Sequence, residues 1–247
     1  MDFFEEISVI IPTLNEDRLV GNAIQSAIDA GAPEIIVADG GSDDATLDVA
    51  ANLGCKIVRS EPGRGTQLNA GTDISSNDVI LFLHADSQIP VDGCQQIRQA
   101  IEHGHFAGAF KQKIDRDGMA YRWIESGNAF RVRWLQMAYG DQGIFVTREL
   151  FEELGGFEDI PFMEDFCFSR KLRQSHRFCL LDGPLLVDGR HWKKRGPLKQ
   201  TFNNWRTITR FLMGAKPGSL ASVNARAAKQ VEPSPNHVNE KIVDSSR

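Results

Sequence analysis

Three stretches of this 247-residue chain end apolar runs with groups that can do chemistry. "SVIIPTLNE" closes on Thr13, Asn15 and Glu16, "VADGGSDDAT" opens on Asp39 beside two glycines, and "VILFLHADSQIP" stops at His84-Ala85-Asp86. A core strand gains nothing from a carboxylate at its tip, so each acid marks a place where the chain meets an opening. Asp86 has the chemistry of a ligand for Mg²⁺ or Mn²⁺, which take one or two protein carboxylates and complete their shell with substrate phosphates. The plainer alternative is an N-cap for the following segment, and His84 reads as a polar neighbour rather than a second ligand. Asp39 is either a turn acid that caps the next helix or accepts hydrogen bonds from a base or ribose, with Gly40 and Gly41 letting a ligand approach the backbone.

Further along, "EPGRGTQLNAG" sets Arg64 between glycines ahead of a helix-like stretch. That pattern fits an exposed loop arginine or a phosphate cradle of backbone N–H groups and guanidinium. Glu164-Asp165 begin a helical pattern, where acids complement the helix dipole; one of them could equally serve as a general base. Arg190, His191 and Trp192, with Lys193, Lys194 and Arg195, form the densest basic run in the chain. Such a run is a solvated surface unless a diphosphate lies beside it.

The elements that must carry these groups alternate. Strands are expected at 7–13, from 34 into a glycine turn, at 55–60 and at 77–83, with helices at 17–31 and after Asp43 or Asp44, either of which can cap "ATLDVAANLG". Nearly continuous apolar strands joined by helices give a parallel sheet with right-handed crossovers, in which ligands bind outside the carboxyl ends of the strands. All three polar tips stand at such ends. The second half is expected to hold strands at 105–114, 142–147 and 177–189 and helices at 120–138, 148–157, 163–175 and 197–214. The polar stretch from about Ser219 reads as a mobile tail, leaving one domain over 1–218 with a nucleotide-binding half to about 90 and an acceptor half beyond.

Composition sets limits. Apolar residues make up 41 % and charged residues 25 %, an ordinary globular balance, and the formal net charge of −5 argues against nucleic acid as a partner. Cys55, Cys94, Cys167 and Cys179 are scattered without metal-site spacing, and a disulfide framework is not expected. The acidic start is no secretory signal and no apolar run reaches the roughly 18 residues of a membrane span, so a cytoplasmic protein is expected. The glycines follow the second strand rather than the first and G-x-G-x-x-G is missing, which excludes an ordinary dinucleotide oxidoreductase.

Taken together, "SVIIPTLNE", "VADGGSDDAT", "GRGTQLNAG", "FLHADS", "YGDQGIFV" and "FMEDFCFSRKLR" resemble, in order, the motifs of family 2 glycosyltransferases over about residues 7–195. The resemblance implies an α/β GT-A fold, a Rossmann-like sandwich around a mostly parallel sheet. "GRGTQLNAG", His-Ala-Asp and "RHW" are similar to the small bacterial subgroup associated with radical-SAM and selenoprotein domains. By the resemblance, Pro12, Thr13, Asn15 and Glu16 line a nucleotide pocket, with Asp39 and Gly40 at the base. Arg64 and Gly65 border the diphosphate, and His84 and Ala85 lie against the nucleotide. Asp86 holds the cation, Mn²⁺ or Mg²⁺, as the last position of the Asp-x-Asp motif, whose first Asp is His84 here. Asp165 becomes the catalytic base. Gly140, Asp141, Gln142, Glu164, Arg190, His191 and Trp192 face the sugar, the acceptor or the diphosphate.

The implied reaction is metal-dependent, inverting transfer of a sugar from a nucleotide-diphosphate sugar to an acceptor hydroxyl. A UDP-sugar suits Asp39, because uracil N3–H is a donor, but guanine also offers donors; the acceptor stays open. Two rivals stand beside it. A nucleotidyltransferase would carry a glycine-rich loop with a reactive Arg or Lys where this chain has "PTLNEDR", and a non-catalytic sugar-nucleotide-binding protein is suggested by His84. Helix 197–214, with Phe202, Trp205, Ile208, Phe211 and Leu212 near Lys199, Arg206 and Arg210, either packs on the domain or makes a peripheral membrane contact.

Overall fold

A computed structural model describes residues 6–175, 178–190 and 196–220 of the chain. Its first half is built of β1 (Ile7–Thr13), α1 (Val20–Asp29), β2 (Glu34–Asp39), α2 (Thr46–Asn52), β3 (Lys56–Arg59), α3 (Arg64–Asp73), β4 (Val79–Phe82), β5 (Ser87–Gln88) and α4 (Gly93–Glu102). The second half adds β6 (Ala107–Ile114), α5 (Met119–Leu135), β7 (Ile144–Thr147), α6 (Arg148–Glu153), α7 (Glu164–Leu172), β8 (Phe178–Val187) and α8 (Pro197–Leu212). The eight strands form one sheet in the order β3-β2-β1-β4-β7-β6-β8-β5.

The nearly continuous apolar runs have the cause expected of them, burial on both faces. On β1, Ile7, Val9 and Ile11 enter one core with α1 and α4, while Ile10 enters the other with α3, α6 and α7; on β4, Leu81 and Phe82 divide the same way. The four parallel strands β3, β2, β1 and β4 run in register, pairing Thr13 with Asp39 and Ile10 with Phe82, so their carboxyl ends lie along one edge. One strand breaks the pattern in a way that matters for the site. β7 inserts antiparallel between β4 and β6, pairing Phe82 with Ile144, so the turn before β7 stands beside the His84-Ala85-Asp86 tip after β4.

Phe82, Phe151, Phe157 and Phe168 fix α7 to the sheet; the Phe157 and Phe168 rings lie 4.3 Å apart and Phe157 meets Phe82 edge-on at 4.9 Å. α4 and the short β5 were not expected from the pattern, and the helix expected at 120–138 ends at Leu135, where Gln136 takes a left-handed conformation. Asp44 rather than Asp43 supports the start of α2, accepting from the Thr46 N–H at 2.9 Å. On α8, Ile208 and Phe211 pack on Met137, Met163 and Phe166, while Leu212 is exposed. The side chains of Phe202 and Trp205 lie outside the described residues, as do His191, Trp192 and all of 221–247.

Candidate active site

The ends of β1 and β2 form the first wall of the crevice. Asn15, with φ of 56°, donates its N–H to Ser42 Oγ and accepts from the Asp43 N–H, and the Glu16 N–H donates to Thr46 Oγ1 at 2.8 Å. The buried carboxamide of Gln67 donates to the carbonyls of both Thr13 (2.7 Å) and Ala38 (2.9 Å). A Cβ on Gly40 would come within 3.1 Å of that carboxamide, so a side chain there would press on the clasp. Pro12 is half-buried at the same edge.

Asp39 is wholly buried and turned into its own loop. It accepts from Ser42 Oγ, from Thr13 Oγ1 at 3.2 Å, and from the N–H groups of Gly41 and Ser42 at 3.0 and 2.9 Å. Burial pushes its pKa up, but these four donors hold it below the usual carboxylate range. This is the turn-acid arrangement, and a base can reach the carboxylate only by displacing one of those donors. Arg190 closes this wall, pairing with Glu16 at 3.1 Å and reaching Asp188 at 3.8 Å.

The second wall encloses a cavity of about 240 Å³ lined by Arg64, His84, Asp141, Glu164 and Asp165 on its polar side. Tyr139, Phe162, Met163, Phe166 and Ile208 form its apolar side, with Thr207 alongside. Asp165 sits in the first turn of α7, accepting the Gly140 N–H on Oδ2 at 2.9 Å and the Phe166 N–H on Oδ1 at 2.7 Å. Each oxygen keeps a further lone pair. Its aim is set by Met163, a buried residue at φ 73° immediately before the helix; a left-handed methionine costs about 1–3 kcal/mol, which the packing around it must offset.

Arg64 pairs with the buried Glu164 at 3.1 Å. Burial works against the Arg64 charge, yet Glu164, Asp165, Asp86 and Asp141 outweigh it and raise its pKa, while burial pushes Glu164 up despite Arg64. His84 is held below the ordinary imidazole value by burial and by Arg64, against the pull of Asp86, Asp141 and Asp165. Its Nε2 is buried without a hydrogen-bond partner, 2.5 Å from where a Cβ on Gly140 would stand. Any side chain at Gly140 would therefore displace the imidazole.

Asp141 is aimed from behind. Asn128 donates to Gln112 Oε1 at 2.7 Å, Gln112 donates to Asp141 Oδ2 at 2.9 Å, and Asp141 Oδ1 is left buried without a partner. Arg131, stacked over the Tyr139 ring at 3.4 Å, donates to Gln142 Oε1 at 2.7 Å. Gln142 is thus buried under Arg131 instead of facing a sugar or acceptor, because its carboxamide holds the turn that presents Asp141. Gly65 is needed for packing: a Cβ there would lie 2.5 Å from the Glu158 carbonyl, so the glycine lets α3 seat against the 157–159 loop. Asp86 is half-buried in an adjoining crevice of about 130 Å³ with Asp115 and Asp188, and within electrostatic reach of Arg64 and His84. Ala85 beside it is buried.

Among the described residues, no three His, Cys, Asp or Glu side chains gather into a metal cage. The donors present are Asp86 and the orphaned Asp141 Oδ1, with carboxylates outnumbering guanidinium groups around Arg64. That set fits a hard cation that arrives with phosphate oxygens better than one held by protein alone. Sequence reasoning missed Gln67, Gln112, Asn128, Arg131 and Tyr139; the signal for two of them was Asn128 and Arg131 placed on the inward side of α5.

A family model described as Glycosyl transferase family 2 matches residues 8–157. Among known proteins, the chain is 31 % identical over 163 residues to a PGL/p-HBAD biosynthesis glycosyltransferase of Mycobacterium bovis (strain BCG / Pasteur 1173P2), covering 61 % of this chain and 62 % of that one. It is 26 % identical over 105 residues to a dolichyl-phosphate hexose transferase of Haloferax volcanii, covering 41 % of this chain and 46 % of that one. The match thus spans less than two thirds of either relative. Among solved structures, S. aureus TarS 1-349 superposes with a TM-score of 0.60 at 19 % identity, covering 74 % of this chain and 60 % of that one. The mannosyltransferase PcManGT from Pyrobaculum calidifontis, in complex with GDP-Man and Mn²⁺, superposes with a TM-score of 0.59 at 16 % identity, covering 93 % and 76 %. These likenesses give the fold: a GT-A-type α/β sandwich.

Proposed function

Because the chain belongs to glycosyl transferase family 2, we propose that it transfers a sugar from a nucleotide-diphosphate sugar to an acceptor hydroxyl, with Asp165 as the catalytic base. The observation that carries this reading is the Asp165 carboxylate at the cavity wall, fixed by the Gly140 N–H, with Arg64 and Asp141 lining the same space. Asp165 takes the acceptor's hydroxyl proton as that oxygen bonds to the anomeric carbon; the bond from that carbon to the diphosphate oxygen breaks, and the diphosphate leaves with the electron pair. Attack from the face opposite the leaving group inverts the anomeric centre.

Arg64 lies where it can meet the departing charge, held in place by Glu164. Asp86, with Asp141 Oδ1, would hold a divalent cation of the Mn²⁺ or Mg²⁺ type, which when bound supplies neutralisation of the diphosphate. The excess of carboxylates around Arg64 supports this, since a diphosphate entering alone would meet net repulsion. PcManGT, seen with GDP-Man and Mn²⁺, and TarS, seen with UDP-GlcNAc, support a nucleotide-sugar donor of either base. We favour UDP, whose uracil N3–H would take the place of one of the donors, such as the Ser42 hydroxyl, that Asp39 holds in its own turn. The aromatic and aliphatic wall from Tyr139 to Ile208 favours an acceptor whose hydroxyl is carried on an apolar body. A place in the radical-SAM-associated bacterial subgroup and a cytoplasmic setting belong to the same reading.

Turnover of a panel of sugar nucleotides with Mn²⁺ tests it. Release of UDP or GDP that is lost in Asp165→Asn supports transfer. Tight nucleotide binding with no release from any donor would instead make this a binding protein, and pyrophosphate consumption would point to nucleotidyl transfer.

A further inference from the structure

The outward half of α5 is apolar and uncovered. Met119, Trp123, Phe130 and Trp134 fall on one helical stripe, and their exposures are 75, 74, 60 and 68 %. Packing of the helix needs none of them: Val132 is buried, Asn128 and Arg131 turn to the site network, and Glu125 accepts the Ile114 N–H at 2.7 Å. Scattered surface hydrophobes are ordinary, but these four align along the helix, interrupted midway by Ser126 and Gly127, and the row ends in a Phe130–Trp134 ring contact of 6.4 Å.

Charge indicates what covers it. By helical geometry Arg122 and Arg133 border the stripe on one side; Arg122 is turned back onto Glu125 and the carbonyls of Ile114 and Arg116, so Arg133 is the exposed charge there, and no acid shares that half of the helix. Asp182, the acid within reach of Arg133, is taken up by Lys111. α5 lies against α8, which exposes Arg206 and Arg210. No Asp or Glu stands between Asp188 and Glu232, although the chain as a whole is at −5. A local basic and aromatic face on an acidic protein is complementary to an anionic, partly apolar surface. A second copy meeting this face across a two-fold axis would set Arg122 and Arg133 near their own images.

The geometry points to the outward face of α5 as a docking surface for an anionic lipid bilayer. Tryptophan and phenylalanine enter the headgroup boundary while the arginines meet lipid phosphates. This moves the membrane contact from α8, where Ile208 and Phe211 are turned inward, to its neighbour. Docking would bring α8, which walls the cavity with Thr207 and Ile208, close to the lipid surface.

Co-sedimentation of the full chain with vesicles tests the proposal without reading sugar transfer. Binding to phosphatidylglycerol/phosphatidylcholine vesicles is expected, with weaker binding to phosphatidylcholine alone and at high salt. The Trp123→Gln/Trp134→Gln variant should bind at least about tenfold more weakly while melting as the parent does, since both side chains are exposed. Failure of the parent to bind anionic vesicles, or unchanged binding by the double variant, would overturn it. So would a parent dimer in sedimentation velocity that the double variant converts to monomer, which would assign the face to a second copy.

Discussion

At the scale of single residues, the acids divide by what their oxygens already hold. Asp39 spends its acceptor capacity on its own turn, whereas Asp165 accepts one backbone N–H on each oxygen and still lines the cavity. Asp165→Asn should therefore keep nucleotide affinity and lose transfer by about 10²–10⁴-fold, measured as product release at saturating donor. Asp86→Ala should weaken UDP binding in the presence of Mn²⁺, and adding a chelator to the parent should do the same. Calorimetry giving equal affinities in all three conditions would remove the cation from the reading. The polar groups at strand tips were legible in the sequence because core strands have no use for them. Gln112, Arg131 and Tyr139 were not: each acts through a partner distant in sequence, and no spacing rule reports that Gln112 will hold Asp141 across 29 residues.

At the scale of elements, strand burial on two faces was readable directly from apolar runs, and so were the first two helices. Helix α4 was missed although Cys94, Ile97 and Ile101 in "GCQQIRQAIE" recur at the i, i+3, i+7 spacing of an amphipathic helix. The antiparallel insertion of β7 was equally hidden, since four apolar residues carry no direction; yet that insertion is what brings Gly140 to His84. Two glycines of "GRGTQLNAG", Gly65 and Gly71, set packing distances. Gly71→Ala would place a methyl 2.4 Å from Ile10 Cγ2, on a β-branched side chain of a central strand that has little room to turn. The overpacking cost of about 1–3 kcal/mol exceeds the roughly 1 kcal/mol gained in helix propensity, so the melting temperature should fall by a few degrees. An unchanged or higher melting temperature would mean that α3 can shift away from β1.

For the whole molecule, acid sensitivity is expected to begin at the sheet edge away from the site. Burial pushes Glu34 up, but Lys56, Ser8 and Ser76 outweigh it and hold its pKa at about 2 against an ordinary value of 4.5. A carboxylate with a depressed folded pKa stabilises the fold above the unfolded value, so this contribution is full above pH 4.5 and is lost as pH falls toward about 2. Denaturant titrations of the parent and Glu34→Gln should differ most near pH 7 and converge below pH 3; a gap that stays constant would show that Glu34 does not titrate with unfolding. At the opposite edge, the Gln67 clasp has a consequence for kinetics. One carboxamide holds the ends of β1 and β2 at a fixed spacing, so neither lip of the crevice can swing out without breaking hydrogen bonds in a buried place. On the proposed function a nucleotide would enter without the two lips first moving together. Its capture should follow a single exponential whose rate rises linearly with concentration, and Gln67→Ala should introduce a plateau as lip closure becomes the slow event.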